Sequence, residues 1–204
     1  LVGLGAGVVG AAFVRAVEWT QDVLLSSAAG YQPLCAAGET CSSPDGAAFN
    51  PWLLALLPAL GALLAGSLSA FLAPETFGGG GNVIIARFHN WGGVVRRRVP
   101  LVKLLASALT LGSGGSGGRE GPTMLMGGAI GSLVGRYLKV SPRERRILLL
   151  AGVAAGIAAV FRTPLGAALL AVEVLYRDDF EAEALIPAVF ASVVGYSSFV
   201  FLFG

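Results

Sequence analysis

The sequence predicts an all-α membrane protein with broken and re-entrant helices, and two observations support that prediction. The mean hydropathy is +0.76 and 13% of the residues are charged, about half the share usual in a soluble domain. Glycine, serine and proline also interrupt the apolar segments, above all between Leu111 and Pro122. Non-helical backbone is tolerated at membrane depth only where it is buried in protein or lines an aqueous cavity. These interruptions therefore predict short helices that enter the membrane without crossing it.

The first elements follow from apolar runs and their boundaries. A helix is predicted from Val2, where an apolar, glycine-rich stretch precedes three charged residues at helical spacing: Arg15, Glu18 and Asp22. We interpret these three as surface pairs near the membrane edge. Residues 28–50 form a predicted loop rich in glycine, proline and serine. Pro51–Leu72 has the length that a bilayer-spanning helix needs.

The distribution of basic residues predicts the orientation. The loop at residues 28–50 contains no lysine or arginine, whereas the connection at residues 77–100 contains Arg87 and the run Arg96, Arg97 and Arg98. The positive-inside rule places the loop outside and the connection in the cytoplasm.

The predicted outer loop contains the only two cysteines of the sequence, Cys35 and Cys41. They could form a disulfide in an oxidising compartment. They could equally remain unpaired, because sequence does not show their geometry.

Two broken pairs of helices are predicted after Pro100. Residues 101–111 and 123–137 are each too short to span comfortably, and basic residues flank both outer ends. We expect this pair to rise from the cytoplasm and return, with residues 112–121 at its highest point. A second pair, residues 147–160 and 164–176, is broken at Arg162-Thr163-Pro164, and residues 185–203 form a last apolar helix.

Several glycines in the broken pairs recur at four-residue spacing: Gly127, Gly131 and Gly135, then Gly152 and Gly156. Small residues at this spacing let helix backbones approach closely in lipid. We interpret them as packing positions rather than as parts of a functional site.

The sharpest functional pattern surrounds Glu120. Pro122 suits the first turn of a helix, so the glycine-rich stretch should end at a helix N-terminus, which favours an anion. Glu120 could occupy that anion position itself, then swing away or be protonated to admit an ion. An ionisable residue at membrane depth is a functional-site hypothesis. The alternative is a buried glutamate paired with Arg119.

The same stretch carries a family resemblance. Gly118-Arg119-Glu120-Gly121-Pro122 resembles the GREGP signature of the CLC chloride channel and proton-coupled transporter family. RVPLVK at residues 98–103 and AGVAAGIAAVFRTPLGAALLAVE at residues 151–173 resemble the family segments before and after it, in the same order and spacing. The resemblance implies that residues 1–204 are the N-terminal half of a CLC-type transmembrane domain. This half would be the first of two inverted repeats in a longer chain.

The resemblance also implies residue roles. Glu120 would be the gating glutamate, and the backbone N–H groups of Arg119, Glu120 and Gly121 would bind the anion. Gly79 matches the serine of the family's GSGIP segment, so the serine hydroxyl is absent here. Gly79 and Gly80 could still offer backbone N–H groups as an anion-binding nest. The alternative is a plain glycine loop.

Proton-coupled members carry a pair of glutamates after the second broken helix. Glu173 matches the first of that pair, and Val174 replaces the second, which transfers protons in the family. This replacement favours passive conduction. A shift of register would make Glu173 a candidate for the proton path, and a structural pair or cap partner is the remaining interpretation.

Other function classes lack support in the sequence. We find no nucleophile with a base and an orienting group, no cysteine or histidine spacing of a metal site, and no phosphate-binding loop ending. No cofactor is expected, and lone His89 is interpreted as solvated. The arginine runs suit lipid headgroups better than nucleic acid.

We therefore expect an integral, multi-pass protein of a prokaryotic plasma (inner) membrane that conducts chloride or a similar small anion. The resemblance implies a homodimer. One alternative is a proton-coupled chloride or fluoride exchanger. The other is a membrane scaffold or sensor that keeps the fold without transporting.

Overall fold

A computed structural model describes residues 1–31, 49–177 and 179–203, and this part of the chain is helical and contains no β-strand. The helices are α1 (Val2–Gln21, continued by a π-helical turn, Asp22–Ala28), α2 (Pro51–Leu72), α3 (Gly81–Asn90), α4 (Val99–Gly112), α5 (Glu120–Tyr137), α6 (Pro142–Phe161), α7 (Pro164–Glu173) and α8 (Ala182–Phe203). A short 3-10 turn, Pro74–Thr76, precedes α3. The predicted all-α class is confirmed.

Both predicted breaks are present. Helix α4 ends at Gly112 and α5 begins at Glu120, and the second break separates α6 from α7 at residues 162–163. Helix α6 begins earlier than predicted because Ser141 and Glu144 form a capping box, in which each side chain accepts a hydrogen bond from the other's backbone N–H. These bonds with Ser141 lower the pKa of the Glu144 carboxyl.

The connection at residues 77–100 is not only a link, and this part of the prediction is wrong. It contains α3, whose residues Ile84 and Phe88 are buried against the core. Gly80 caps the helix with φ +100°, a conformation that glycine adopts readily. The glycine run gives a poor helix signal, and the short helix forms because one face packs against α5.

The core lies around α6, where Leu149, Leu150 and Val153 are fully buried. Helix α5 packs on α6 with backbone touching backbone: a Cβ atom at Gly156 would lie 2.6 Å from the carbonyl oxygen of Thr123. Such contact leaves room only for glycine, as the four-residue spacing predicted. The packing fixes where the N-terminus of α5 lies.

Three segments are long and apolar enough to cross a membrane: Val2–Ala28, Pro51–Leu72 and Ala182–Phe203. The apolar windows of the second and third are only 22% buried within the protein, so most of their surface is available to lipid. Cys35 and Cys41 lie outside the described residues, so their predicted pairing stays a prediction.

Candidate anion site

Two glycine-rich loops meet at the N-termini of α3 and α5. The carbonyl oxygen of Gly79 lies so close to Gly121 that any Cβ atom there would collide with it. A Cβ atom at Gly80 would in turn lie 2.6 Å from the carbonyl oxygen of Gly121. The structure thus brings together the glycines that the sequence singled out in two distant segments, and their role in binding stays a prediction.

Both helix N-termini present unused backbone donors. Among the described residues, no acceptor bonds the N–H groups of Arg119, Glu120 and Gly121, nor those of Gly79, Gly80 and Gly81. The first N–H groups of a helix have no partner within the helix, and they carry its positive dipole end. Two such ends in contact form a surface that can bind an anion without a cationic side chain.

Glu120 begins α5, and its side chain is exposed. Its carboxylate folds back over Gly118, where a Cβ atom would collide with Oε2. Among the described residues Glu120 forms no ion pair, so the alternative pairing with Arg119 is not seen there. The carboxylate therefore lies beside the unused N–H groups without a cation holding it.

Lys103 is a functional candidate that the sequence analysis missed, since it treated this lysine only as a flank. The side chain lies on α4 and is 5% exposed. Its Nζ donates to the carbonyl oxygens of Thr76, at 3.0 Å, and Gly78, at 2.6 Å. No carboxylate lies within 4.0 Å of it in the described part of the chain. A lone lysine in an apolar segment was the available signal.

A cavity of about 380 Å³ lies between α2, α4 and the two glycine loops. Its polar lining comes from Lys103 and from four hydroxyl side chains: Ser69, Thr76, Ser107 and Thr110. Gly79 and Gly118 also line it. The cavity therefore reaches both loops of the candidate site, and Lys103 is its cationic lining residue.

The structure does not bring Glu173 to the two loops. Glu173 ends α7 and is exposed, while Val174 packs partly buried against the core. This end of α7 contacts the C-terminus of α3, where His89 accepts or donates a hydrogen bond at the Leu175 carbonyl. No group of histidine, cysteine and acidic residues that could hold a metal occurs among the described residues.

Arginines gather at the C-terminal end of α3, which we call the basic end. Arg136, Arg145 and Arg146 donate to the backbone carbonyls of the turn that follows α3: Val95, Gly92 and His89 respectively. Glu75, just before the glycine loop, lies 3.7 Å from Arg87 and 3.5 Å from Arg96. These contacts attach the turn and the glycine loop to one end of the helix bundle.

Comparison with known proteins gives a consistent answer. The family model described as voltage gated chloride channel matches residues 61–204. A chloride/fluoride channel protein of Pseudomonas syringae pv. tomato is 35% identical over 71% of this chain and 32% of its own length. The H(+)/Cl(-) exchange transporter ClcA of Salmonella arizonae is 36% identical over 98% of this chain and 40% of its own length. The chain thus spans less than half the length of these relatives.

Solved structures share the fold. A CLC-type fluoride/proton antiporter superposes with a TM-score of 0.78 at 23% identity, over 98% of this chain and 45% of its own. A slow cyanobacterial Cl-/H+ antiporter gives a TM-score of 0.73 at 30% identity, over all of this chain and 45% of its own. The re-entrant pairs around α4–α7 and the match of the family model lead to one conclusion: the chain belongs to the voltage-gated chloride channel (CLC) family of membrane anion channels and transporters.

Proposed function

We propose that the chain forms the N-terminal half of a transmembrane domain that conducts chloride or a similar small anion, with Glu120 as its gate. The observation that supports this is the contact between two helix N-termini whose N–H groups have no acceptor among the described residues. These N–H groups would replace the water that the anion loses on entry. Because they carry partial charges, the anion can also leave.

Glu120 is the proposed gate because its carboxylate and a permeating anion want the same donors. While the carboxylate is ionised and lies near the N–H groups of α5, it excludes the anion. Protonation, or rotation of the side chain away from Gly118, would open the position. The absence of an ion pair at Glu120 among the described residues supports such movement.

The rest of the pathway would come from a second half of the protein. The relatives named above are more than twice as long as this chain, and one side of the site is exposed here. We propose that the complete protein lies in a bacterial inner membrane as a homodimer, in contact with lipid. This half alone is not expected to conduct.

A second candidate function is proton-coupled exchange of chloride or fluoride. The names of ClcA and of both antiporter structures support it by similarity. The partly buried, apolar Val174 cannot carry a proton, which weighs against a proton route through that position. The relative named as a chloride/fluoride channel supports conduction without coupling, and it supports either halide as the ion.

The first experiment measures chloride efflux and internal pH in liposomes containing the full-length protein and its Glu120→Ala variant. We expect chloride efflux in both, with the pH dependence of efflux lost in the variant because the titrating gate is gone. Efflux accompanied by proton movement in the unaltered protein would select exchange over conduction. No anion flux from either protein would contradict transport and leave the scaffold or sensor.

A matched pair of variants tests the gate without removing the carboxylate. A Cβ atom at Gly118 would collide with Glu120 Oε2, whereas one at Gly117 would meet only Leu111 Cδ2 at 3.4 Å. We expect Gly118→Ala to displace the carboxylate and shift the pH dependence of efflux. Gly117→Ala should leave it unchanged, and an equal effect of both changes would argue against Glu120 as the gate.

Restoring a hydroxyl at Gly79 should increase selectivity for chloride. No atom lies within 4 Å of a Cβ built at Gly79, and its φ is not positive, so Gly79→Ser should be accommodated. The hydroxyl would add one hydrogen bond to a bound anion, worth about 1.5 to 3 kcal/mol when the partner is charged. Chloride affinity relative to fluoride and nitrate, measured by isothermal titration, checks this. Gly79→Ala is the control, and equal selectivity in both variants would contradict the prediction.

A further inference from the structure

Helix α3 joins the candidate anion site to a second cluster of titratable groups. Its N-terminus follows Gly80 at the anion site, and its last turn carries His89 at the basic end. A helix of ten residues is about 15 Å long. A single rigid element therefore connects an anion position with an imidazole.

His89 has a defined partner and one open nitrogen. Its Nε2 lies 3.2 Å from the carbonyl oxygen of Leu175. A carbonyl oxygen only accepts, so Nε2 carries the proton and donates. The ring is exposed, and in the described part of the chain Nδ1 has no partner. A second proton can therefore bind at Nδ1 from solvent without breaking the bond to Leu175.

The charges around His89 come from three elements. In the link after α7, Tyr176 contacts the imidazole edge-on at 5.3 Å and donates to Glu181 at 2.8 Å, and Asp179 lies nearby on the same link. This bond to Glu181 raises the pKa of the Tyr176 phenol, so the phenol stays neutral. From α6, Arg146 approaches the backbone carbonyl of His89 at 3.4 Å.

The remaining nearby charge lies on α3 itself, where Arg87 is occupied by Glu75 and by the ring of Trp91. Two carboxylates and the negative end of the α3 dipole thus favour a proton on His89, while Arg146 opposes it. Imidazole is the side chain that changes charge between about pH 5 and pH 8. The cluster is built to take up a proton in that range.

We propose that His89 is a proton-binding site whose occupancy is linked to anion binding at the other end of α3. The inference rests on the proposed function of the loops at Gly79 and Gly121. A protonated His89 donates a charge-assisted and therefore stronger bond to Leu175, which holds α3 in the position that forms the anion site. Its positive charge also attracts the anion, so both effects have the same sign.

Linkage gives the size and form of the effect. With a separation of about 15 Å and partial screening by salt, we expect chloride affinity to rise about threefold from pH 8 to pH 5. Coupling between two sites is reciprocal. Chloride binding should therefore draw a fraction of a proton from the buffer near neutral pH.

The test is isothermal titration of chloride into the full-length protein carrying Glu120→Gln, which removes the gate's own titration. Titration in two buffers with different ionisation enthalpies gives the protons taken up per chloride bound. We expect measurable uptake in this parent and none after His89→Gln, whose amide can still donate to Leu175 but does not titrate. His89→Lys should bind chloride at pH 8 as tightly as the parent does at pH 5, and Tyr176→Phe should keep the uptake.

Each outcome separates this inference from the proposed function. Chloride binding with equal proton uptake in the parent and in His89→Gln overturns the role of His89. Chloride binding without any uptake in the parent also overturns it and leaves the anion site intact. If the parent binds no chloride at all, the proposed function fails and this inference fails with it.

Discussion

Anion flux through the full-length protein will fall to the background leak when Gly121 is replaced by alanine. The new Cβ atom would occupy the position of the Gly79 carbonyl oxygen, and a backbone oxygen cannot rotate away as a side chain can. Overpacking of this kind typically costs about 1 to 3 kcal/mol. The two loops must separate to relieve it, which separates the two helix N-termini that would hold the anion. Chloride efflux from liposomes measures the loss.

The control for this change lies on the other side of the same contact. A Cβ atom at Gly79 meets nothing within 4 Å, so Gly79→Ala adds the same methyl group beside the same site without a collision. We expect this variant to conduct nearly as the unaltered protein does. Unaltered flux through Gly121→Ala would show that the two loops are not in contact in the working protein. Elution as a single homogeneous species on size exclusion would exclude a failure to fold.

Sequence patterns predicted the helices that depend on long apolar runs. Pro51–Leu72 has the predicted boundaries, and the break before Pro164 is in place. In these segments the physical cause is local, because hydropathy and proline act through the chain's own neighbours. The start of α6 was missed since its capping box consists of two polar residues outside the apolar run.

Tertiary packing decided what the sequence patterns missed. Helix α3 follows four consecutive glycines, and its formation depends on burying Ile84 and Phe88 against other helices. The contact between Gly79 and Gly121 joins segments far apart in the chain, and no periodicity within either segment encodes it. The resemblance supplied the candidate residues, and the folded chain supplied their proximity.

Lys103 belongs to the same class, because its importance depends on what surrounds it. In the sequence it is one basic residue near the run Arg96, Arg97 and Arg98. In the structure it is buried, and it holds the loop of the candidate site by two carbonyl oxygens. The second large expected effect follows from this position.

Replacing Lys103 with methionine should reduce chloride affinity and flux by about tenfold or more while the protein still folds. For unit charges about 6 Å apart at an effective dielectric constant of about 20, Coulomb's law gives roughly 2 to 3 kcal/mol. Methionine keeps the length of the side chain and removes the charge, together with the donors to Thr76 and Gly78. Each unsatisfied carbonyl costs about 1 to 3 kcal/mol, which is offset by the desolvation cost that a buried ammonium no longer imposes.

Isothermal titration of chloride and liposome efflux measure the two parts of this expectation, and Arg97→Gln is the matched control. Arg97 also carries one positive charge, but it is exposed and does not line the cavity, so its loss should change neither quantity. Lys103→Gln separates charge from loop support, since its amide can still donate to a carbonyl but is neutral. If Lys103→Gln binds chloride as the unaltered protein does while Lys103→Met does not, the lysine acts by holding the loop. If both lose affinity equally, its charge attracts the anion.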